Sequence, residues 1–255
     1  DGHAGDMTSK HCQKTILPLF LENINKKSYT IHKALYEAFI TCNNSTKRDG
    51  SGSTACVAII QRGINKIYVA NSGDCRCVIS RKKIAIDLSI DHKPNNKYEK
   101  YRVEKQKGIV KEYQGGIWRI LGRSIKNKNL VVALSVARSI GDHHFSDNPI
   151  LLGSKDQQPK NIDLITCKPQ IVEDLLDINN DEFLIIACDG LWDVYTSQEA
   201  VNFVHDELNK NRLIQHDVNK WTHIARLLAN NAINVRKSID NVSIIIVPIN
   251  LINKY

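Results

Sequence analysis

The stretch Phe183-Leu-Ile-Ile-Ala-Cys-Asp-Gly-Leu-Trp-Asp193 constrains this chain more than any other. Six mostly apolar residues run straight into Asp189-Gly190, and a second carboxylate, Asp193, follows four positions after the first. A continuous apolar run closed by an Asp-Gly turn signal reads as a strand buried on both faces. An aspartate therefore stands where the backbone leaves the core. Three other Asp-centred turns border strand-like runs: Asp1-Gly2-His3-Ala4-Gly5, Ser72-Gly73-Asp74 and Asp240-Asn241. The chain reads as a scaffold that gathers aspartates.

With 255 residues, 42% of them hydrophobic, the chain is long enough for a sizeable core. No composition break or low-complexity linker divides it, so a single domain over 1–255 is expected. The apolar runs Leu130 to Ala137 and Val242 to Ile249 are too short to span a bilayer. Seven cysteines without Cys-x-x-Cys spacings suggest a reducing compartment, cytoplasmic or nuclear, and Cys56 and Cys188, in apolar strands, read as core thiols. Cys75-Arg-Cys77 is either a metal-holding pair or plain strand; no second Cys or His pair lies nearby in sequence. The net charge of +8 sits in Asn-rich loops, and aromatics are only 6%. That pattern does not read as a nucleic-acid face, which interleaves cations with stacking rings. It suits acidic or phosphorylated partners.

Periodicity places amphipathic helices at His11 to Ile24 and Ser28 to Cys42, with Pro18 disturbing the first half of the former. Short runs at Thr54 to Gln61, Lys66 to Ala70, Arg76 to Ser80 and Ile84 to Leu88 form a meander whose brief connections imply antiparallel neighbours. A charged helix, Asn95 to Gln106, is expected to end at Gly108 as its C′ glycine. From Gly108 to Asn129 glycines and lysines dissolve the pattern, which predicts a long surface flap. Strands follow at Leu130 to Ala137 and Gln170 to Leu175, then the central strand at Phe183. Helices at Ser197 to Leu208, capped by Ser197, and Lys220 to Val235 precede a last strand, Ser243 to Val247. The order is α+β, with helices covering antiparallel sheets.

If the strand that ends just before Asp189 and the strand Ser243 to Val247 are antiparallel neighbours, Asp189 and Asp240 share one sheet edge. Asp74 can reach the same edge if the sheets stack, and Asp1, which precedes a helix, can reach it too. Crowded carboxylates need neutralising partners, and an all-oxygen set suits Mg²⁺ or Mn²⁺. Gly2 can add its carbonyl. Each feature alone also has a plain reading. Asp-Gly is a common turn, Asp193 a turn cap, Asp142 a loop residue, His3 a surface histidine and Trp192 a core residue.

Taken in order, DGHAG (1–5), GSGSTA (50–55), VANSGDCR (69–76), IDHKP (90–94), ALSVARSIGD (133–142), FLIIACDGLWDV (183–194) and DNVSIIIV (240–247) resemble the metal-dependent Ser/Thr protein phosphatases of type 2C. The resemblance implies a four-layer αββα sandwich of two antiparallel sheets flanked by helices. It implies hydrolysis of phosphoserine and phosphothreonine in proteins by a metal-bound hydroxide at a binuclear Mn²⁺/Mg²⁺ site. Asp1 would bridge both ions, the Gly2 carbonyl would bind one, and Asp189 and Asp240 would complete the other. Asp74, Asp189 and Asp193 resemble positions that hold a weaker third ion, and His3 resembles the general acid. The family's upstream strand supplies an arginine and a further acidic ligand. This chain begins at the motif itself, so those residues and two edge strands are expected to be missing. After Gly141-Asp142 the family often carries an aromatic and a lysine, which His143-His144-Phe145 replaces here. Phosphoprotein substrates, no nucleic acid, no membrane and a monomeric state are expected. The alternative is a non-catalytic, phosphatase-like regulatory or binding module.

Overall fold

The computed structural model describes residues 1–124, 127, 129–147, 149–151, 162–210 and 218–249. In chain order its elements are β1 (Gly2–His3), α1 (Met7–Ile24), α2 (Ile31–Ser45), β2 (Gly52–Ser53), β3 (Ala55–Gln61), β4 (Lys66–Ser72), β5 (Arg76–Arg81), β6 (Ile84–Asp87) and α3 (Lys97–Lys105). Then follow β7 (Val110–Tyr113), β8 (Ile117–Arg123), β9 (Val131–Leu134), β10 (Ile140–Gly141), α4 (His144–Asp147), β11 (Gln170–Leu175) and β12 (Asp181–Ala187). The last are α5 (Asp189–Trp192), α6 (Ser197–Lys210), α7 (Val218–Asn234) and β13 (Ile244–Pro248). The class is α+β with antiparallel sheets and helices. Internal contacts divide the chain into two compact units: Asp1–Ala55 with Ser72–Asp74 and Asp91–Gln170, and Cys56–Asn71 with Cys75–Ile90 and Ile171–Tyr255.

The second unit is built around β12. Its neighbours in the four-stranded sheet are β13 and β5, both antiparallel, with β6 beyond β5. Side chains alternate along a strand, and here both faces are buried. Phe183, Ile185 and Ala187 enter one cluster with Val201, Val204, Ile224 and Leu228 of α6 and α7. Leu184 enters the other with Ile67 and Val69 of β4, in the sheet ordered β11-β4-β3. A helix layer and two sheets thus stack within this unit. Arg81 closes its edge, donating to the fully buried Asp181 carboxylate at 2.6 Å.

The expected meander is corrected: β4 and β5 lie in different sheets, so the Ser72–Asp74 turn is a crossover and not a hairpin. The α6 cap also differs. Thr196 Oγ1 accepts from Glu199 N at 3.2 Å while Thr196 N donates to Glu199 Oε2 at 2.8 Å, a reciprocal capping box. Ser197 is instead engaged outward, with its Oγ donating to Asp87 at 2.6 Å.

In the first unit α1 packs on α2. Cys12, Ile16 and Phe20 face Ala34, Leu35, Ala38, Phe39 and Cys42, all buried. The helix α1 runs through Pro18 because that residue lies on the exposed side. Leu17 and Leu21, apolar residues of the same helix, are 55% and 51% exposed. The expected flap is not a loop: β7, β8 and β9 form an antiparallel three-stranded sheet, with Gly115 and Gly116 at positive φ in the first turn.

At the end of α3, the left-handed residue is Lys107, φ +62°, and not Gly108. Lys107 N donates to Glu104 O at 2.8 Å and Gly108 N to Val103 O at 3.0 Å, the two bonds of a Schellman cap. Gly108 is required for space. A Cβ there would lie 2.6 Å from Leu164 Cδ2 and 2.7 Å from Val103 Cγ1. Gly108→Ala should therefore lower stability by about 1–3 kcal/mol. An unchanged urea midpoint would contradict this packing.

His92 is buried, with Nδ1 3.0 Å from the Gly73 carbonyl and its own carbonyl accepting from Ala137 N at 2.7 Å. Burial, reinforced by the Arg138 charge, pushes its pKa down from 6.5 to about 4. Between those values the unfolded chain binds a proton that the folded chain does not. The contribution is thus complete above pH 6.5 and is lost as the pH falls toward 4. At roughly 1.4 kcal/mol per pK unit it amounts to about 3 kcal/mol. Urea midpoints should fall between pH 7 and 4.5, and less steeply in His92→Gln; equal slopes would contradict the assignment.

Candidate functional site

In the first unit, the opening motif is clamped by β2. Gly2 pairs with Ser53 and His3 with Gly52, while β10 pairs on the other side, Ile140 with Ser53 and Gly141 with Gly52. The Asp1 carbonyl accepts from Thr54 N at 2.8 Å and from Ser53 Oγ at 2.9 Å. Thr54 in turn abuts the Ser72–Asp74 turn. Gly73, at φ +123°, lies so close that a Cβ would be 2.4 Å from Thr54 Cγ2. Asp74 is buried, with Lys93 Nζ 3.8 Å from its carboxylate. Asp1 is exposed.

His3 Nε2 lies 2.6 Å from Asp142 Oδ2, and Ser139 Oγ donates to the same oxygen. Asp142, whose side chain is 1% exposed, sits at φ +48° after Gly141 at φ +86°. That left-handed pair turns the carboxylate back toward β1. Gly52 stands between the partners. A Cβ there would fall 2.1 Å from Asp142 Oδ2 and 2.2 Å from His3 Nε2. Burial pushes the His3 imidazolium toward losing its proton. The hydrogen bond and charge of Asp142, together with the Asp74 charge, more than offset this and raise its pKa. A cavity of about 410 Å³ opens beside the pair, lined by His3, Asp142, His144, Val132, Leu134 and Phe145 among others.

In the sequence alone, Asp142 reads as a loop residue. The signal available for it was its place at the end of the ALSVARSIGD stretch, where Gly141 predicts a reversed backbone.

In the second unit, β12 and β13 pair antiparallel from Phe183–Pro248 to Ala187–Ile244, so the end of one meets the start of the other. Cys188 N donates to Ser243 O at 3.2 Å and Ser238 Oγ to Gly190 O at 2.6 Å. A Cβ at Gly190 would lie 2.2 Å from the Asn241 carbonyl oxygen. Asp189 and Asp240 accordingly flank a single backbone contact at this sheet edge, as the antiparallel pairing requires. Asp193 is the C-cap of the one-turn helix that begins at Asp189, its N donating to Asp189 O at 2.8 Å. Asn241 N donates to Asp240 Oδ1 at 2.7 Å. Asp240 and Asp193 are exposed, and Asp189 is half-buried.

The predicted residues thus fall into two groups: Asp1, Gly2, His3 and Asp74 in the first unit, and Asp189, Asp193 and Asp240 in the second. Among the described residues, no three His, Cys, Asp or Glu side chains are gathered closely enough to hold a metal ion. Nor, among them, is any helix long and apolar enough to cross a membrane.

Residues 1–242 match the family model described as Protein phosphatase 2C. Protein phosphatase 2C homolog 2 of Saccharomyces cerevisiae is 33% identical over 220 residues, covering 84% of this chain and 43% of the relative. Probable protein phosphatase 2C 27 of Arabidopsis thaliana is 35% identical over 252 residues, covering 97% and 57%. The chain spans about half the length of these curated relatives. The crystal structure of serine-threonine phosphatase 2C from Toxoplasma gondii superposes with a TM-score of 0.74 at 18% identity, over 97% of this chain and 82% of that one. A C. elegans sex determining protein gives 0.76 at 22%, over 98% and 55%. At such identities the structural likeness concerns the fold. The family match, running through both groups of site residues, settles the assignment: the chain belongs to the protein phosphatase 2C family.

Proposed function

We propose that this chain is the catalytic domain of a metal-dependent phosphatase that hydrolyses phosphoserine and phosphothreonine in proteins. What carries the reading is that the family match covers residues 1–242, and so includes every one of Asp1, Gly2, His3, Asp74, Asp189, Asp193 and Asp240.

The donor set fits a hard divalent cation, since it consists of carboxylate and carbonyl oxygens without sulfur or imidazole. Asp1 and the Gly2 carbonyl, with Asp74, in the first unit, and Asp189, Asp193 and Asp240 in the second, are the residues that would take part in binding Mn²⁺ or Mg²⁺. Such ions, when bound, supply Lewis acidity at the phosphoryl oxygens and acidify a coordinated water.

The part played by His3 follows from its hydrogen bond. With Nε2–H donating to Asp142, the proton available for transfer is on Nδ1 of the imidazolium. As the P–O bond to the substrate side chain breaks and water adds to phosphorus, Nδ1 gives its proton to the departing seryl or threonyl oxygen. An alkoxide is a poor leaving group, so this proton lowers the barrier. Asp142 acts as a positioning residue that keeps the imidazole charged and oriented.

Gly52→Ala should force the pair apart and lower kcat on a phosphothreonine peptide by about 100-fold, within the usual range for general-acid catalysis. Circular dichroism would verify that the variant folds, and full activity would contradict the assigned role. Asp189→Ala and Asp240→Ala should each abolish the Mn²⁺-dependent part of the turnover. Calorimetric Mn²⁺ titration should show weakened binding in both. Hydrolysis equal to wild type in either variant would remove the phosphatase assignment, whereas metal-dependent turnover by the wild type removes the non-catalytic reading.

A further inference from the structure

The sheet formed by β7, β8 and β9 has one buried and one open face. Its registers pair Lys111 with Arg119, Tyr113 with Ile117, Leu121 with Ala133 and Arg123 with Val131. Directly opposed residues project from the same side of a sheet, and side chains alternate along each strand. These eight residues therefore share a face. The other face carries the fully buried Ile120, together with Val110, Val132 and Leu134, which pack against the Phe145 cluster.

On the open face Tyr113 is 40% exposed, Ile117 48% and Val131 51%. Three of its eight residues are cations and none is acidic, because Glu112 pairs with Trp118 on the opposite side. Lys111 Nζ lies 5.4 Å from the Tyr113 ring centroid, so one face of the ring already carries an ammonium. That favours carboxylates over stacked bases as the occupant. The edge strand β9 supplies Val132, Ala133 and Leu134 to the cavity that His3 lines.

We propose that the open face of this sheet is a docking surface for a segment of the protein substrate that mixes acidic and aliphatic residues. Its carboxylates would meet Lys111, Arg119 and Arg123, and its aliphatic side chains Tyr113, Ile117, Leu121 and Val131. The identification of this segment as substrate rests on the phosphatase reading; the surface itself rests on register, exposure and charge.

The test uses the whole chain and fluorescence anisotropy with an unphosphorylated twelve-residue peptide alternating glutamate and leucine. The peptide should bind with an affinity that falls as salt rises. Its glutamine counterpart, and the Lys111→Glu and Lys111→Glu/Arg119→Glu variants with the original peptide, should each bind about tenfold or more weakly. Hydrolysis of p-nitrophenyl phosphate by Lys111→Glu should match wild type, while KM for a phosphothreonine peptide bearing the glutamate–leucine tail should rise. Unchanged peptide binding in folded Lys111→Glu would overturn the proposal. So would tighter binding of a single-stranded RNA of equal length, or self-association of the chain blocking the peptide. If the peptide binds as expected but the wild type hydrolyses neither phosphoester, the phosphatase reading fails and the docking surface remains.

Discussion

Three chain segments meet at Gly52 with no room for a single extra carbon. On one side His3 comes from β1, on the other Asp142 comes from the turn after β10, and their side chains touch across the glycine. The contact is expensive to build. It buries a carboxylate and needs a left-handed Asp142. The surroundings hold it: Ser139 donates to the same carboxylate oxygen, and Asp142 N donates to Ser51 O at 3.1 Å. Thr8 of α1 bonds Ser51 through both hydroxyls at 2.7 Å, so the first helix also locks the pair.

A related economy operates in the second unit. The strand β12 is buried on both faces and can shift only by disrupting two clusters at once, which fixes the height at which Asp189 emerges. Gly190 then presses against the Asn241 backbone, which places the Asp240 loop. Packing and glycine contacts thus set the carboxylate positions in each unit. Buried ion pairs complete the frame: Glu99, with a side chain 3% exposed, joins Arg102 of α3 to Arg138, two residues before β10.

The legible part of this chain was the part written in strong hydrophobic patterns. The central strand and the α2 face at Phe39 and Leu35 follow from apolar spacing alone, whereas the β12–β13 pairing, only a condition in the sequence, is fixed by the register of the two strands. The β7–β9 sheet was hidden because its open face carries Lys111, Arg119 and Arg123, and its tight turn is glycine-rich, so its alternation resembles a loop. The crossover between β4 and β5 was hidden because a three-residue turn is the usual sign of a hairpin; only the second sheet's packing decides otherwise. Asp142 was hidden for a different reason. Its partner lies 139 positions away, and no local pattern reports a contact of that separation.

The role assigned to the His3–Asp142 pair is tested most directly by its dependence on the leaving group. Asp142→Asn keeps the shape of the side chain but removes the charge that sustains the imidazolium. Its kcat should be measured beside wild type on a phosphothreonine peptide and on p-nitrophenyl phosphate, whose phenolate departs without a proton. The account predicts a loss on the peptide at least tenfold larger than on the aryl ester, in keeping with general-acid contributions of about 10²–10⁴. Equal losses on both substrates would show that the pair only supports the fold, and would contradict it.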